Sequence, residues 1–157
     1  MTIVQTQNNY NGVFQTPIQS GFDHRSTTQD VIKGIDLSGK TAIVTGGYAG
    51  IGLETVKSFI KAGANVVVPA RDVNKAAKSL AGLRNVRLWP MDLMEPDSID
   101  LFAETVLATC EPLHILVNNA GIMWVPLRRD ARGYESQLAT NHLGHFQLTA
   151  RLWPARP

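Results

Sequence analysis

Apolar residues in this chain gather into short blocks separated by polar and glycine-rich stretches, and the blocks alternate between two periodicities. Thr41-Ala42-Ile43-Val44-Thr45 is a compact apolar run, after which Leu53, Val56, Phe59 and Ile60 recur at helical spacing up to Ala62-Gly63. That order predicts strand, turn, helix. The β-branched run Asn65-Val66-Val67-Val68-Pro69-Ala70 predicts a second strand, with hydrogen bonding that ends at Pro69 because proline has no N–H to donate. Val73 to Leu83 then reads as a helix, Val86-Arg87-Leu88-Trp89 as a third strand, and Pro96 to Ala108 as a helix carrying Ile99, Leu101, Phe102, Val106 and Leu107. Leu113-His114-Ile115-Leu116-Val117 predicts a fourth strand, and Tyr134 to about Leu152 a last helix.

Strands that alternate with helices across short connections imply a parallel sheet covered on both faces, with right-handed crossovers. The first residues differ. Up to about residue 22 the chain is rich in Gln, Asn, Gly and Thr, can bury little surface against the entropy of ordering, and is expected to be a loose extension. Thr27-Thr28-Gln29-Asp30-Val31-Ile32 then has the outline of a capping box, with Thr27 as N-cap and Asp30 in place of the usual Glu or Gln, so a short helix should end near Gly34. The expected division is a largely irregular extension over 1–35 and a folded domain over 36–157.

Bulk properties narrow the partners. At 157 residues the chain is about one domain, and its net charge of +2 comes from fifteen scattered Lys and Arg residues with no basic block for nucleic acid or anionic lipid. A small-molecule partner is expected. Cys110 is the single cysteine, which excludes an internal disulfide and a cysteine-based zinc site and fits a reducing compartment. The opening residues lack the basic start and apolar core of a secretory signal, and no apolar run is long enough to span a bilayer, so the expected location is cytoplasmic.

Chemistry concentrates at the ends of the strands. The turn Thr45-Gly46-Gly47-Tyr48-Ala49-Gly50-Ile51-Gly52 follows a strand and opens a helix, so helix N–H groups and the positive dipole end point beyond the sheet, where a pyrophosphate fits. Gly46, Gly50 and Gly52 are the candidates for close approach and for positive φ; a plain connecting turn is the bland alternative. With the repeating βα units, the turn leads to an α/β fold with a Rossmann-type doubly wound parallel sheet of about four strands, order 3-2-1-4, incomplete for its type.

Thr45-Gly46-x-x-x-Gly50-Ile51-Gly52 followed by Asn118-Asn119-Ala120-Gly121 resembles the short-chain dehydrogenase/reductase family. Tyr134-Glu135-x-Gln137-x-x-Thr140-Asn141-His142-Leu143-Gly144-His145-Phe146 is similar, more narrowly, to its retinol-dehydrogenase-like branch. The resemblance runs from about residue 36 to the C-terminus. It implies an oxidoreductase that moves a hydride between a nicotinamide dinucleotide and an alcohol or carbonyl substrate, one that could be lipophilic.

The second strand ends Pro69-Ala70-Arg71-Asp72. Ala70 offers no carboxylate for a ribose 2′-hydroxyl, Arg71 presents donors that match a 2′-phosphate, and Asp72 stands where a helix N-cap belongs, which favours NADP over NAD. The resemblance implies that Asp92, followed by Leu93, accepts a hydrogen bond from the adenine amino group; a turn or cap carboxylate is the alternative. It also implies that Asn118, Asn119, Ala120 and Gly121 line the nicotinamide-ribose side and tie strands together, where the alternative is a structural turn.

In the family a Tyr, a Lys four residues later, a Ser and an Asn handle the proton that accompanies the hydride. Asn141 matches the Asn, which anchors a water in the proton relay; a helix-surface or helix-bending residue is the alternative. Tyr10, Tyr48 and Tyr134 are followed four residues on by Phe14, Gly52 and Leu138, so Tyr-x-x-x-Lys is absent. The expectation is a C-terminally truncated dehydrogenase, inactive or nearly so alone, or a non-catalytic dinucleotide-binding or interaction module. Such a chain should expose the edge of its fourth strand and Leu143, Phe146, Leu148 and Leu152 of its last helix, inviting self-association.

The remaining signals read plainly. His142 and His145 are three apart but lack further ligands for a metal. Cys110 reads as a small packing residue, Trp89, Trp124 and Trp153 as core or rim fillers, and Arg128-Arg129-Asp130-Ala131-Arg132 as a solvated loop that could border substrate.

Overall fold

The computed structural model describes residues 20–156, so most of the expected loose extension lies outside the described residues. Four parallel strands form one sheet: β1 (Thr41–Val44), β2 (Asn65–Ala70), β3 (Val86–Pro90) and β4 (Ile115–Val117), in the order β3-β2-β1-β4. The order is the 3-2-1-4 expected. Before β1 lies α1 (Thr28–Ile32), between the strands run α2 (Gly50–Lys61), α3 (Val73–Leu80) and α4 (Pro96–Ala108), and after β4 come α5 (Ser136–Leu138) and α6 (His145–Leu152).

Successive strand residues point to opposite faces, and both faces are apolar. Ala42, Val44, Val66 and Val68 pack with Val56 of α2 and Leu80 of α3. Ile43 and Val67 face the other way, onto Ile99, Phe102 and Val106 of α4 and Leu148 and Leu152 of α6. Sheet strands buried on both sides explain the near-continuous Val and Ile runs.

The expected capping box of α1 is present: Thr27 Oγ1 accepts from Asp30 N, and the Asp30 carboxylate accepts from Thr27 N at 2.8 Å. The helix stops at Ile32, short of Gly34. Gln29 Nε2 donates to Ser58 Oγ at 3.3 Å, which joins α1 to α2.

Several expectations need correction. Pro69 does not end β2, which runs through Ala70 with Pro69 opposite Trp89. Val66 and Ala70 hydrogen-bond towards β3, whereas Asn65 N donates towards β1. By alternation Pro69 faces the β1 side, where pairing already stops at Val67, so its missing N–H costs the sheet no bond. Helix α3 ends at Leu80 instead of Leu83, because Ala81 is extended (ψ 132°) and Gly82 turns the chain at φ +81°. In β4 only Ile115–Val117 pair; Leu113 N instead donates to Ala155 O at 2.7 Å.

The last helix is broken. Its start lies at Ser136, where Glu135 accepts from Gln137 N and Leu138 N, and Ala139–Gly144 form a π-helical stretch before α6. Backbone N–H donors from Gln137 and Leu138 hold the Glu135 carboxyl below its ordinary value. A β-carbon on Gly144 would sit 2.3 Å from Leu93 O. The widened turn therefore lets the helix meet the Leu93 backbone while Asn141 reaches Ile122, an insertion often found at functional sites.

Surface expectations also change. Leu148 and Leu152 are buried, Leu143 is half-buried, and only Phe146 of the four is exposed. Trp89 packs edge-on against Phe102, but Trp124 is 89% exposed and Trp153 lies out under the Arg156 guanidinium. Cys110 is exposed at a left-handed turn after α4 (φ +53°), because a turn and not a packing niche follows the helix. Within the expected solvated loop Asp130 is buried and accepts from Arg132 N, Arg132 Nε and Tyr134 N.

Candidate functional site

A cleft of about 350 Å³ opens at the carboxyl ends of the strands, the place where parallel α/β sheets gather ligands. One wall begins where β1 ends. Thr45 is buried, and its hydroxyl oxygen accepts from the backbone N–H groups of Asn119 and Ala120, each at 2.9 Å. Asn119 Nδ2 returns a bond to Thr45 O at 2.8 Å. The ends of β1 and β4 are thus one unit.

The chain then reverses through Gly46 (φ +66°) into α2. A β-carbon on Gly52 would meet Gly46 O at 2.4 Å and Asn119 Nδ2 at 2.5 Å, so this glycine is required for the helix to lie against the turn. Gly47 serves the core, since a β-carbon there would strike Val56 at 2.8 Å. The N-cap of α2 is Ala49, which has no side-chain acceptor. First-turn N–H groups of this twelve-residue helix are therefore left without a side-chain cap and at the positive end of its dipole.

At the end of β2, Arg71 is exposed, with Nε 3.9 Å from Asp92 Oδ2. Asp72 is the N-cap of α3 and its Oδ1 accepts from Lys75 N at 2.9 Å. Asp92 Oδ1 accepts from Met94 N at 2.9 Å while its own N–H donates to Ser98 Oγ. One Asp92 oxygen thus makes a turn, and the other stands near Arg71.

Thr45, Gly46, Tyr48, Arg71, Asp92 and Leu93 line the cleft, as do Asn119, Ala120 and Gly121. Gly47, Gly50, Ile51, Gly52, Asn118 and Asn141 do not line it. Asn118 Nδ2 donates to Thr149 Oγ1 of α6, and Asn141 clamps Ile122 by accepting from its N–H (2.9 Å) and donating to its carbonyl (2.8 Å). Asn118 and Asn141 thus tie the segment after β4 to the last helix.

Lys75, Met91, Ile122 and Thr140 line the cleft without having been singled out from sequence. For Lys75 a signal existed: it lies in the first turn of the helix that Arg71 and Asp72 introduce. His142 is exposed and His145 is 6% exposed, with Nε2 2.9 Å from Thr45 Oγ1. Burial pushes the His145 pKa down, opposed in part by its bond to Asn141 O.

Residues 40–156 match the family model described as short chain dehydrogenase. The chain belongs to the short-chain dehydrogenase family. Short-chain dehydrogenase TIC 32 B, chloroplastic, of Brassica napus is 42% identical over 137 residues, covering 83% of this chain and 43% of that protein. Retinol dehydrogenase 12 of Bos taurus is 44% identical over 121 residues, covering 73% of this chain and 38% of that protein. The chain thus spans about two fifths of the length of these relatives. Among solved structures, the Pseudomonas aeruginosa RhlG/NADP active-site complex superposes with a TM-score of 0.66 at 30% identity, over 76% of this chain and 49% of that one. A metagenomic short-chain oxidoreductase in complex with NADP gives 0.64 at 32% identity, over 75% and 57%. Its four-stranded sheet superposes on those of these family members, and among the described residues no helix is long and apolar enough to cross a membrane.

Proposed function

We propose that this chain is the cofactor-binding half of an oxidoreductase that takes NADP(H) in preference to NAD(H) and acts on a small alcohol or carbonyl compound of lipophilic character. The observation that carries the reading is the cleft wall after β2, where Arg71 and Lys75 stand, Asp72 is spent on capping α3, and Asp92 divides its oxygens between a turn and a 3.9 Å contact with Arg71. Two cations, with no unspent carboxylate on the strand end itself, match a 2′-phosphate better than a ribose diol.

The residues present fit a dinucleotide. The uncapped first turn of α2 would hold its pyrophosphate, the free oxygen of Asp92 would accept from the adenine amino group, and Asn119, Ala120 and Gly121 would border the nicotinamide ribose. When bound, the nicotinamide supplies or takes a hydride. Asn141 spends its side chain on Ile122, so a relay water would have to meet its main-chain carbonyl, which also faces His145 Nδ1 at 3.2 Å.

Titration of the chain with NADPH and NADH tests the preference: NADPH should bind more tightly, and Arg71→Glu should weaken NADPH by about 10-fold or more while sparing NADH, as expected for a lost charge-assisted contact. Tighter NADH binding to the unaltered chain overturns it. Tyr-x-x-x-Lys does not occur in the 157 residues, so the chain by itself should bind without turnover, as a non-catalytic binding module does. NADPH-dependent carbonyl reduction that disappears in Asn141→Ala would contradict this. We also place the chain in the cytoplasm, where its exposed thiol fits a reducing medium, and infer self-association through the free edge of β4.

A further inference from the structure

A buried imidazole lies between two parts of the site, and proton counting fixes its state. The Thr45 hydroxyl has one hydrogen and two lone pairs, and both lone pairs face N–H donors, those of Asn119 and Ala120. Its hydrogen must go outward. The candidates are Val117 O at 3.3 Å and His145 Nε2 at 2.9 Å, and the imidazole nitrogen is the nearer. An accepting Nε2 requires the hydrogen of a neutral ring to be on Nδ1, and Nδ1 lies 3.2 Å from the main-chain carbonyl of Asn141, a partner that can only accept. The other tautomer would set a lone pair against that carbonyl and press a third donor on Thr45. Burial disfavours the imidazolium in the same direction.

We propose that His145, as the neutral Nδ1–H tautomer, is a positioning residue that joins the cofactor turn to Asn141. It receives the Thr45 hydrogen, which keeps both Thr45 lone pairs on the Asn119–Ala120 backbone, and it holds the Asn141 carbonyl through Nδ1–H. The chain of bonds runs from the wall of the cleft, through Thr45 and His145, to Asn141, the residue that clamps Ile122. Helix α6 begins at His145, directly after the π-helical stretch, so the widened turn sets the height at which the ring enters between β1 and Asn141. The consequence for binding rests on the reading of the cleft as a dinucleotide site.

Long-range proton–nitrogen NMR on the unaltered chain at neutral pH reads the tautomer directly. His145 should show a protonated Nδ1 and a bare Nε2, whereas His114, whose Nδ1 accepts from Thr41 N at 3.2 Å, should show the reverse and serves as an internal control. NADPH titration then compares three chains. His145→Leu fills the space without an acceptor and should weaken NADPH about 10-fold, the scale of one hydrogen bond; His145→Gln, whose amide oxygen can accept from Thr45, should recover most of that loss. A protonated Nε2 in the unaltered chain overturns the proposal, as does a Leu variant that binds like the parent or a Gln variant no better than Leu. Where a variant does not fold, the tautomer of the unaltered chain decides. Absence of NADPH binding by the unaltered chain overturns the dinucleotide reading by itself, and the tautomer still decides the role of His145.

Discussion

One methyl group separates the two kinds of glycine in the turn. Gly52→Ala places a β-carbon 2.4 Å from Gly46 O, so the helix or the turn has to move. A loss of about 1–3 kcal/mol of stability is expected from overpacking, measured by denaturant unfolding, together with weaker NADPH binding. Gly50→Ala meets no neighbour, and its cost comes from φ +53°, about 1 kcal/mol. At this scale the spacing of Gly46, Gly50 and Gly52 was legible in the sequence, because only glycine satisfies close approach or left-handed backbone. Gly47 was not, since its constraint comes from Val56 and Val68, which approach only once the helix has docked. The bond from Thr45 to His145 crosses a hundred residues of sequence and leaves no local trace.

Elements are held to one another by a few polar bridges over the apolar contacts, and the one between α4 and α6 responds to pH. Asp100 accepts from Gln147 Nε2 at 2.6 Å and from Arg151 through Nε and Nη2 at 2.8 and 2.7 Å. The Gln147 amide first, and the Arg151 guanidinium second, hold its carboxyl below the ordinary 3.8. The folded chain therefore binds this proton less readily than the unfolded one. The stabilisation is full above the unfolded value and is lost as pH falls through the lowered folded one. Asp100→Asn should cost about 1 kcal/mol near neutrality, and the gap from the parent should close in acid unfolding titrations. A constant gap across pH counts against the ion pair. Phe102→Ala, in the same layer, should cost about 3–5 kcal/mol in chemical unfolding because it empties a large buried site in the core. The strands and α2 to α4 were readable from periodicity, whereas the break in the last helix was not. Apolar spacing in Ala139–Gly144 is compatible with one helix, and the break follows from contacts with Leu93 and Ile122 in distant loops.

For the whole molecule, the sheet has two lateral edges with different cover. Beside β4, Leu113 is held by Ala155 while, among the described residues, Ile115 to Val117 pair on one side only, with β1. Sedimentation velocity over rising concentration should show association by that edge; a monomer at every concentration refutes it. The contribution expected from the last helix is smaller than its sequence suggested, because Leu148 and Leu152 are turned into the core. Opposite the cleft, where the strands begin, α4 ends at an exposed Cys110, the chain's sole cysteine. Chemically this is a handle with one address: a maleimide dye or surface tether attached there sits a full strand length from the ligand's entrance. Nucleotide titrations can therefore be run on an oriented, immobilised protein without engineering a new attachment point.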